Sequence, residues 1–215
     1  MSNKTKQTYN NNDDFIDLFE ERLSAFTGAP YVVVVDRCTN AILLSLQYLE
    51  AKSKLLTIPT RTYLSVPMTL INYGYNIKFK QEEWVGQYRL GDTDVYDYAV
   101  GFKQGMYIPG QIQCLSFQQK KRLAIGKGGA ILLNDEKMYQ RLKRMRHDGR
   151  TSRLSTKQEM ETNPENIIIG YHMYMSPNEA AQGTLLLNQL SSSYQDGSYL
   201  DYPDISTLPC FKEYV

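Results

Sequence analysis

The stretch SFQQKKRLAIGKGGAILLND, Ser116 to Asp135, sets two adjacent amines, Lys120 and Lys121, in a polar turn that runs through Gly126, Gly128 and Gly129 into a short apolar strand. A lysine held at such a turn can take an aldehyde cofactor as a Schiff base. The apolar flank Leu123, Ala124 and Ile125 favours the neutral, nucleophilic amine. Without further context a lysine near glycines is usually a plain loop residue, and either amine of the pair is available. The glycines form no Walker or dinucleotide fingerprint, because they precede a strand and not a helix.

Other residue types add to this. Asp97 lies within VYDYAV, Val95 to Val100, an apolar and aromatic run that reads as a buried strand. A lone acid there is costly unless it meets a cation or several donors, and a structural pair with an arginine is the ordinary reading. Tyr31 to Val35 is a β-branched strand, followed by the polar turn Asp36-Arg37-Cys38-Thr39-Asn40 and an apolar helix over Ala41 to Ala51. A helix N-terminus favours anions, although Thr39 and Asn40 are most simply caps. Tyr63 is one of 17 tyrosines and by itself reads as packing.

The lysine loop is similar to that of the DegT/DnrJ/EryC1/StrS family of pyridoxal-phosphate sugar aminotransferases, which carries Ser-Phe-His, two variable residues, the cofactor lysine and Gly-x-Gly-Gly. The resemblance makes Lys121 the cofactor lysine, puts Gln118 at the family His, and makes Ser116 a phosphate ligand. Asp97 followed by Ala99 resembles the family's Glu-Asp-x-Ala-Gln and implies a carboxylate against the pyridine nitrogen; Val100 stands at the family Gln or His. Cys38-Thr39-Asn40-Ala41 resembles its Ser-Gly-Thr-Ala and implies a phosphate cradle. Ile58 to Phe79 resembles the segment whose Thr-aromatic pair stacks on the ring, which makes Tyr63 the stacking residue. Arg146-His147-Asp148-Gly149 and Gly170 to Ser176 match two further elements, the second of which lends an Asn to the neighbouring subunit's phosphate; His172 replaces that Asn and Tyr174 an Arg.

The resemblance runs from about Phe15 to Leu190. It implies a fold-type I α/β domain, a mixed, mostly parallel sheet with helices on both faces, over residues 13–190. Residues 1–12 are expected as a disordered tail and 191–215 as a remnant of a small domain otherwise largely absent. Only about a dozen residues separate Glu82 from Val95, where the family has a further crossover and strand.

Local signals place the elements. Phe15, Leu18, Phe19, Leu23 and Phe26 keep helical spacing and Gly28 closes that helix. Strands are expected near Leu55 to Pro59 and Asn76 to Lys80 around a helix near Ser65 to Tyr73, the βαβ pattern of a sheet with helices on both faces. A strand over Ala130 to Leu133 precedes a basic helix, Glu136 to Arg146. Residues 150–166 read as a long surface loop or flap. Ser176-Pro177-Asn178-Glu179 is a capping box opening a helix to about Leu190.

The 215 residues are 42% hydrophobic and 22% charged, with 24 Lys and Arg against 23 Asp and Glu, which suits one sizeable core and gives no charge-based case for a nucleic-acid or membrane partner. Three cysteines, with no Cys-x-x-Cys and no secretory segment, fit the reducing cytoplasm. The two histidines have no ligand-spaced partners, so no metal is expected. The basic helix reads as a solvated face, with Arg146 and Arg150 as candidates for a substrate carboxylate or diphosphate.

The resulting functional expectation is transamination of a keto-sugar, nucleotide-linked, from an amino donor such as glutamate, by a homodimer with shared active sites. A family-derived binding or scaffold protein without turnover is the alternative, motivated by Val100 and His172. Dehydration of a related sugar ranks last because Lys121 is present.

Overall fold

The computed structural model describes residues 12–151, 154–191 and 194–215; the expected tail falls outside them except for Asn12. Five strands form one sheet in the order β1 (Tyr31–Val35), β7 (Gly129–Leu133), β6 (Ile112–Ser116), β5 (Val95–Asp97), β4 (Tyr88–Arg89). The pairing is parallel only between β5 and β6, so β1, β5 and β6 run one way and β7 and β4 the other. The expected β2 (Leu55–Pro59) and β3 (Asn76–Lys80) form their own parallel pair around α3 (Ser65–Asn72). This pair abuts the main sheet at Gly91, whose N–H donates to the Thr57 carbonyl at 3.0 Å. Gly91 has φ +54°, and a Cβ there would stand 2.9 Å from the Leu56 Cα.

Buried β-branched and leucine side chains on both faces of β1, β6 and β7 make three layers. Val33, Val35, Ile131 and Leu133 pack with α2 (Cys38–Tyr48) and α4 (Glu136–Met145). Val32, Val34, Ala130 and Leu132 face the other way, against α1 (Asn12–Thr27) and α6 (Pro177–Leu187). Burial of each such Val or Leu contributes about 1.5–3 kcal/mol, and this double-faced core fixes where the strand ends lie.

The helix start signals behave as their chemistry requires. Ser176 accepts from the Glu179 N–H while Glu179 Oε2 accepts from the Ser176 N–H, with Pro177 at the first helical position. Gly28, φ +82°, closes α1. Two expectations need correction. The segment 150–166 is not one loop: Ser155 and Gln158 form a second capping box that opens α5 (Thr156–Thr162). In addition, α2 begins at Cys38 and not Ala41, so Thr39 and Asn40 lie inside its first turn and the cap position is Arg37, which makes no side-chain capping bond.

Arg146 also departs from expectation. It is 4% exposed, pairs with Glu20 and donates to the Val34 carbonyl, and so ties α4 to α1 and β1. Glu20 further accepts from the Val34 N–H at 3.0 Å and meets Lys143 at 3.1 Å. A guanidinium so enclosed is a structural clamp between three elements and cannot reach a ligand. Arg146→Met removes one partner of this buried pair, and urea unfolding should show a loss of about 3 kcal/mol.

His147, at the C-terminal side of α4, is pushed down to about 4 by burial and by Arg150 and Arg146. Its folded-state value lies below the ordinary 6.5, so the unfolded chain takes up the proton first, and stability should fall as pH drops from about 6.5 to about 4. His147→Gln should flatten that part of the stability–pH curve.

Candidate active site

The carboxyl ends of β1, β5 and β6 meet the N-terminus of α2, the place where open α/β sheets bind ligands. A cavity of about 350 Å³ opens there. Cys38, Thr39, Asn40, Tyr63, Asp97, Ser116, Gln118 and Lys121 all line it. These residues come from four separate segments. Glycine makes the close approach possible: a Cβ at Gly129 would lie 2.5 Å from the Cys38 nitrogen and 2.8 Å from the Leu115 carbonyl oxygen, so only glycine lets β7 pass under the start of α2.

The lysine loop folds back on itself. The Phe117 N–H donates to the Gly128 carbonyl at 3.0 Å, and the Ile125 and Gly126 N–H groups both donate to Phe117 at 3.1 Å. Phe117, Leu123 and Ile125 are buried and anchor the loop. Within it the Lys121 N–H donates to the Gln118 carbonyl at 2.8 Å. That turn leaves Lys120 exposed and turns Lys121, half-buried, into the cavity. Lys121 Nζ donates to the Tyr202 hydroxyl at 3.1 Å.

Asp97 is 5% exposed. It accepts from the Tyr88 hydroxyl at 2.7 Å and the Ala99 N–H at 2.8 Å, and the Cys38 thiol lies 3.9 Å away. No ion pair holds it among the described residues. Burial pushes its carboxyl above the usual range, against the opposing pull of Tyr88, Ala99 and the Lys121 charge. Tyr88 in turn meets Thr62 at 2.6 Å, and burial raises its phenol as well, with Asp97 adding to the shift. A buried carboxylate with three donors and no cation is a ready acceptor for a protonated ring nitrogen.

The α2 end of the cavity is the polar one. Thr39 Oγ1 meets Ser65 Oγ at 2.6 Å, and Asn40 donates to Asp36 at 2.6 Å. Arg37 and Lys127, both exposed, flank Asp36 at 3.2 and 3.8 Å and line the rim. Two cations, hydroxyls and a helix N-terminus suit a phosphate. Tyr63, 52% exposed, offers its ring at the mouth.

His172 and Arg150 are not brought to this cavity. The side chain of His172 is 71% exposed and its Nδ1 lies 3.0 Å from Asp148. Arg150 donates to the carbonyls of Thr151 and Leu154. Conversely, Tyr88, Tyr202, Arg37, Lys127, Ser65 and Thr69 join the site or its walls without having been singled out. Nothing local marks Tyr88 or Tyr202, whereas Arg37 and Lys127 each adjoin a residue of a recognised motif and carried a charge signal.

The sheet, the lysine loop and the acid-lined cavity define a fold-type I pyridoxal-phosphate protein. A profile of the DegT/DnrJ/EryC1/StrS aminotransferase family matches residues 3–81 and 103–196, and the chain belongs to that family, whose cofactor is pyridoxal 5′-phosphate. No curated protein matches the sequence. Among solved structures, AtS13 from Actinomadura melliaura is similar at 19% identity and TM-score 0.69, over 81% of this chain and 59% of its own. An aminotransferase from Psychrobacter cryohalolentis is similar at 17% identity and TM-score 0.65, over 82% and 56%. A GDP-4-keto-6-deoxymannose-3-dehydratase is similar at 17% identity and TM-score 0.62, over 82% and 61%. The chain thus spans about 60% of the length of these structures, and the likeness is one of fold.

The raised Asp97 carboxyl has a consequence for stability. Its folded value lies above the unfolded one, so its ionisation above that range costs folding energy. Asp97→Asn should therefore raise the melting temperature of the cofactor-free protein at pH 7 by a few degrees while weakening pyridoxal-phosphate binding at least about tenfold. Thermal melts and a spectrophotometric titration check the two signs together.

Proposed function

We propose that this chain is a pyridoxal-phosphate-dependent aminotransferase that moves an amino group from an amino acid, glutamate by preference, to a nucleotide-linked keto-sugar. The observation that carries the reading is that Lys121 and the uncompensated Asp97 face one cavity whose far end is a hydroxyl-rich helix N-terminus. Residues 13–190 form the catalytic unit and 191–215 an appended segment.

The cofactor supplies an electron sink for the carbanion left when the donor loses its α-proton. Asp97 would face the pyridine nitrogen, where the ring's positive charge and the carboxylate stabilise each other, and its burial makes that interaction strong. Thr39, Asn40 and Ser116, with Cys38 at the start of α2, hold the phosphate, aided by Arg37 and Lys127. Tyr63 covers one ring face and Gln118 takes the place of the family His. Lys121 would be the covalent attachment point, and its Nζ, as a free amine, would take the proton from the donor's α-carbon and hold it beside the ring. Arg150 and His172 lie outside the single-chain cavity and are assigned no role in it.

A homodimer with sites at the interface fits the exposure of Tyr63, Leu64 and Met68 beside the cavity mouth, at 52%, 38% and 39%. The free, mostly buried cysteines fit a reducing cytoplasm. No helix among the described residues is long and apolar enough to cross a membrane.

Adding pyridoxal phosphate should produce a visible absorption band, and borohydride should fix the label on Lys121 in a peptide map. Lys121→Ala should lose the band and at least about 100-fold in transamination, whereas Lys120→Ala should keep both. A folded protein that never develops the band supports a binding or scaffold role instead.

A further inference from the structure

The family profile leaves residues 82–102 and 197–215 unmatched, and in the fold these two stretches pack on each other. The Gly86 N–H donates to Gly197 at 2.7 Å, the Gly197 N–H to Val100 at 3.0 Å, and the Tyr199 N–H to Trp84 at 3.1 Å. Val85 bridges to Ser198. Val100 lies so close to Gly197 that a Cβ there would be 3.0 Å from its own. The strap over 197–205 is also fastened to the turn after β2. The Ile205 N–H donates to Thr60 at 2.9 Å and the Arg61 guanidinium to the Tyr202 carbonyl at 2.7 Å.

This fastening aims one side chain. Tyr202 precedes Pro203 and is extended, with φ −124° and ψ 139°, as that position requires. Its ring rests 5.6 Å from Trp84, whose ring is 5.2 Å from Tyr88, which hydrogen-bonds Asp97. Its hydroxyl accepts from Lys121 Nζ at 3.1 Å. An aromatic arc from the two unmatched stretches therefore joins the acid of the site to its amine.

Resting on the aminotransferase reading, we propose that Tyr202 is a positioning residue. Its hydroxyl fixes the Lys121 amine at the cavity, and the strap 197–205 braces the active site from behind its lining residues. A free lysine side chain holds up to about 2 kcal/mol of rotamer entropy, so a fixed partner places the nucleophile before the aldehyde arrives. Burial pushes the Tyr202 phenol up, followed by the charges of Asp97 and Cys38. The phenol is therefore neutral at working pH, able to accept from the ammonium or donate to the free amine.

Tyr202→Phe keeps the ring on Trp84 and the backbone bond to Arg61 and removes only the hydroxyl. Two readouts test it. In the cofactor-free protein, the ¹³C-methyl signal of reductively methylated Lys121, assigned by its absence in Lys121→Arg, reports how firmly the side chain is held; in Tyr202→Phe it should sharpen and move toward the position of a free lysine. In addition, borohydride-trapped capture of pyridoxal phosphate at Lys121 should slow about fivefold. Wild-type values for both in Tyr202→Phe overturn the proposal. Should Tyr202→Phe melt early, Tyr202→Gln, which restores a hydrogen-bonding end without the ring, should recover the held signal, and a signal that stays free in it counts against the hydroxyl's role. If wild-type protein captures no cofactor, the aminotransferase reading fails while the NMR signal still decides the Tyr202 contact.

Discussion

A single buried charge organises this site. Asp97 sits at the end of β5 with a hydroxyl, a backbone N–H and a thiol around it and, among the described residues, no ion-pair partner. Burying such a group costs folding energy, and a fold selected for stability alone would replace it. The arrangement makes physical sense as a device held in reserve for a cationic ligand atom, with Lys121 near enough for its charge to be felt. The surrounding architecture keeps water from relieving that charge and holds the amine opposite it.

The sheet does this through backbone contact. Strands buried on both faces cannot slip by one residue without exchanging side chains of different size between two close-packed layers, so the ends of β1, β5 and β6 are fixed relative to one another. Gly129 then lets the start of α2 descend onto the sheet, which brings the helix N-terminus and Asp97 to one small cavity. The Glu20–Arg146 clamp performs the same service on the far face, binding α1, β1 and α4 without touching the site.

Much of this was legible from local pattern. The bounds of β2 and β3, the Ser176 capping box and the closure of α1 by Gly28 follow from short-range chemistry, and the structure bears them out. The lysine loop, Thr39, Tyr63 and Asp97 were found because they lie in ordered motifs, and the fold gathers them at one cavity. One misreading arose where the deciding partner is distant in sequence. Arg146 looked like a surface cation until Glu20, 126 residues away, closed over it. The second capping box at Ser155 and Gln158 was hidden in a polar stretch where the same residues also suit a loop.

The amino-acid sequence by itself determined the chemical inventory: an amine on a glycine turn, an acid in an apolar strand, hydroxyls at a helix start, and the periodicities that make strands and helices of them. Those properties are local, set by backbone sterics and side-chain patterning over a few residues. Only the tertiary structure decided which lysine of the pair faces inward, that the acid has no ion-pair partner among the described residues, and that Tyr88 and Tyr202 join the site through Trp84. These are facts of distance between segments far apart in the chain, 81 residues for Lys121 and Tyr202, and no pattern along the chain records which of 17 tyrosines folding will bring to the amine.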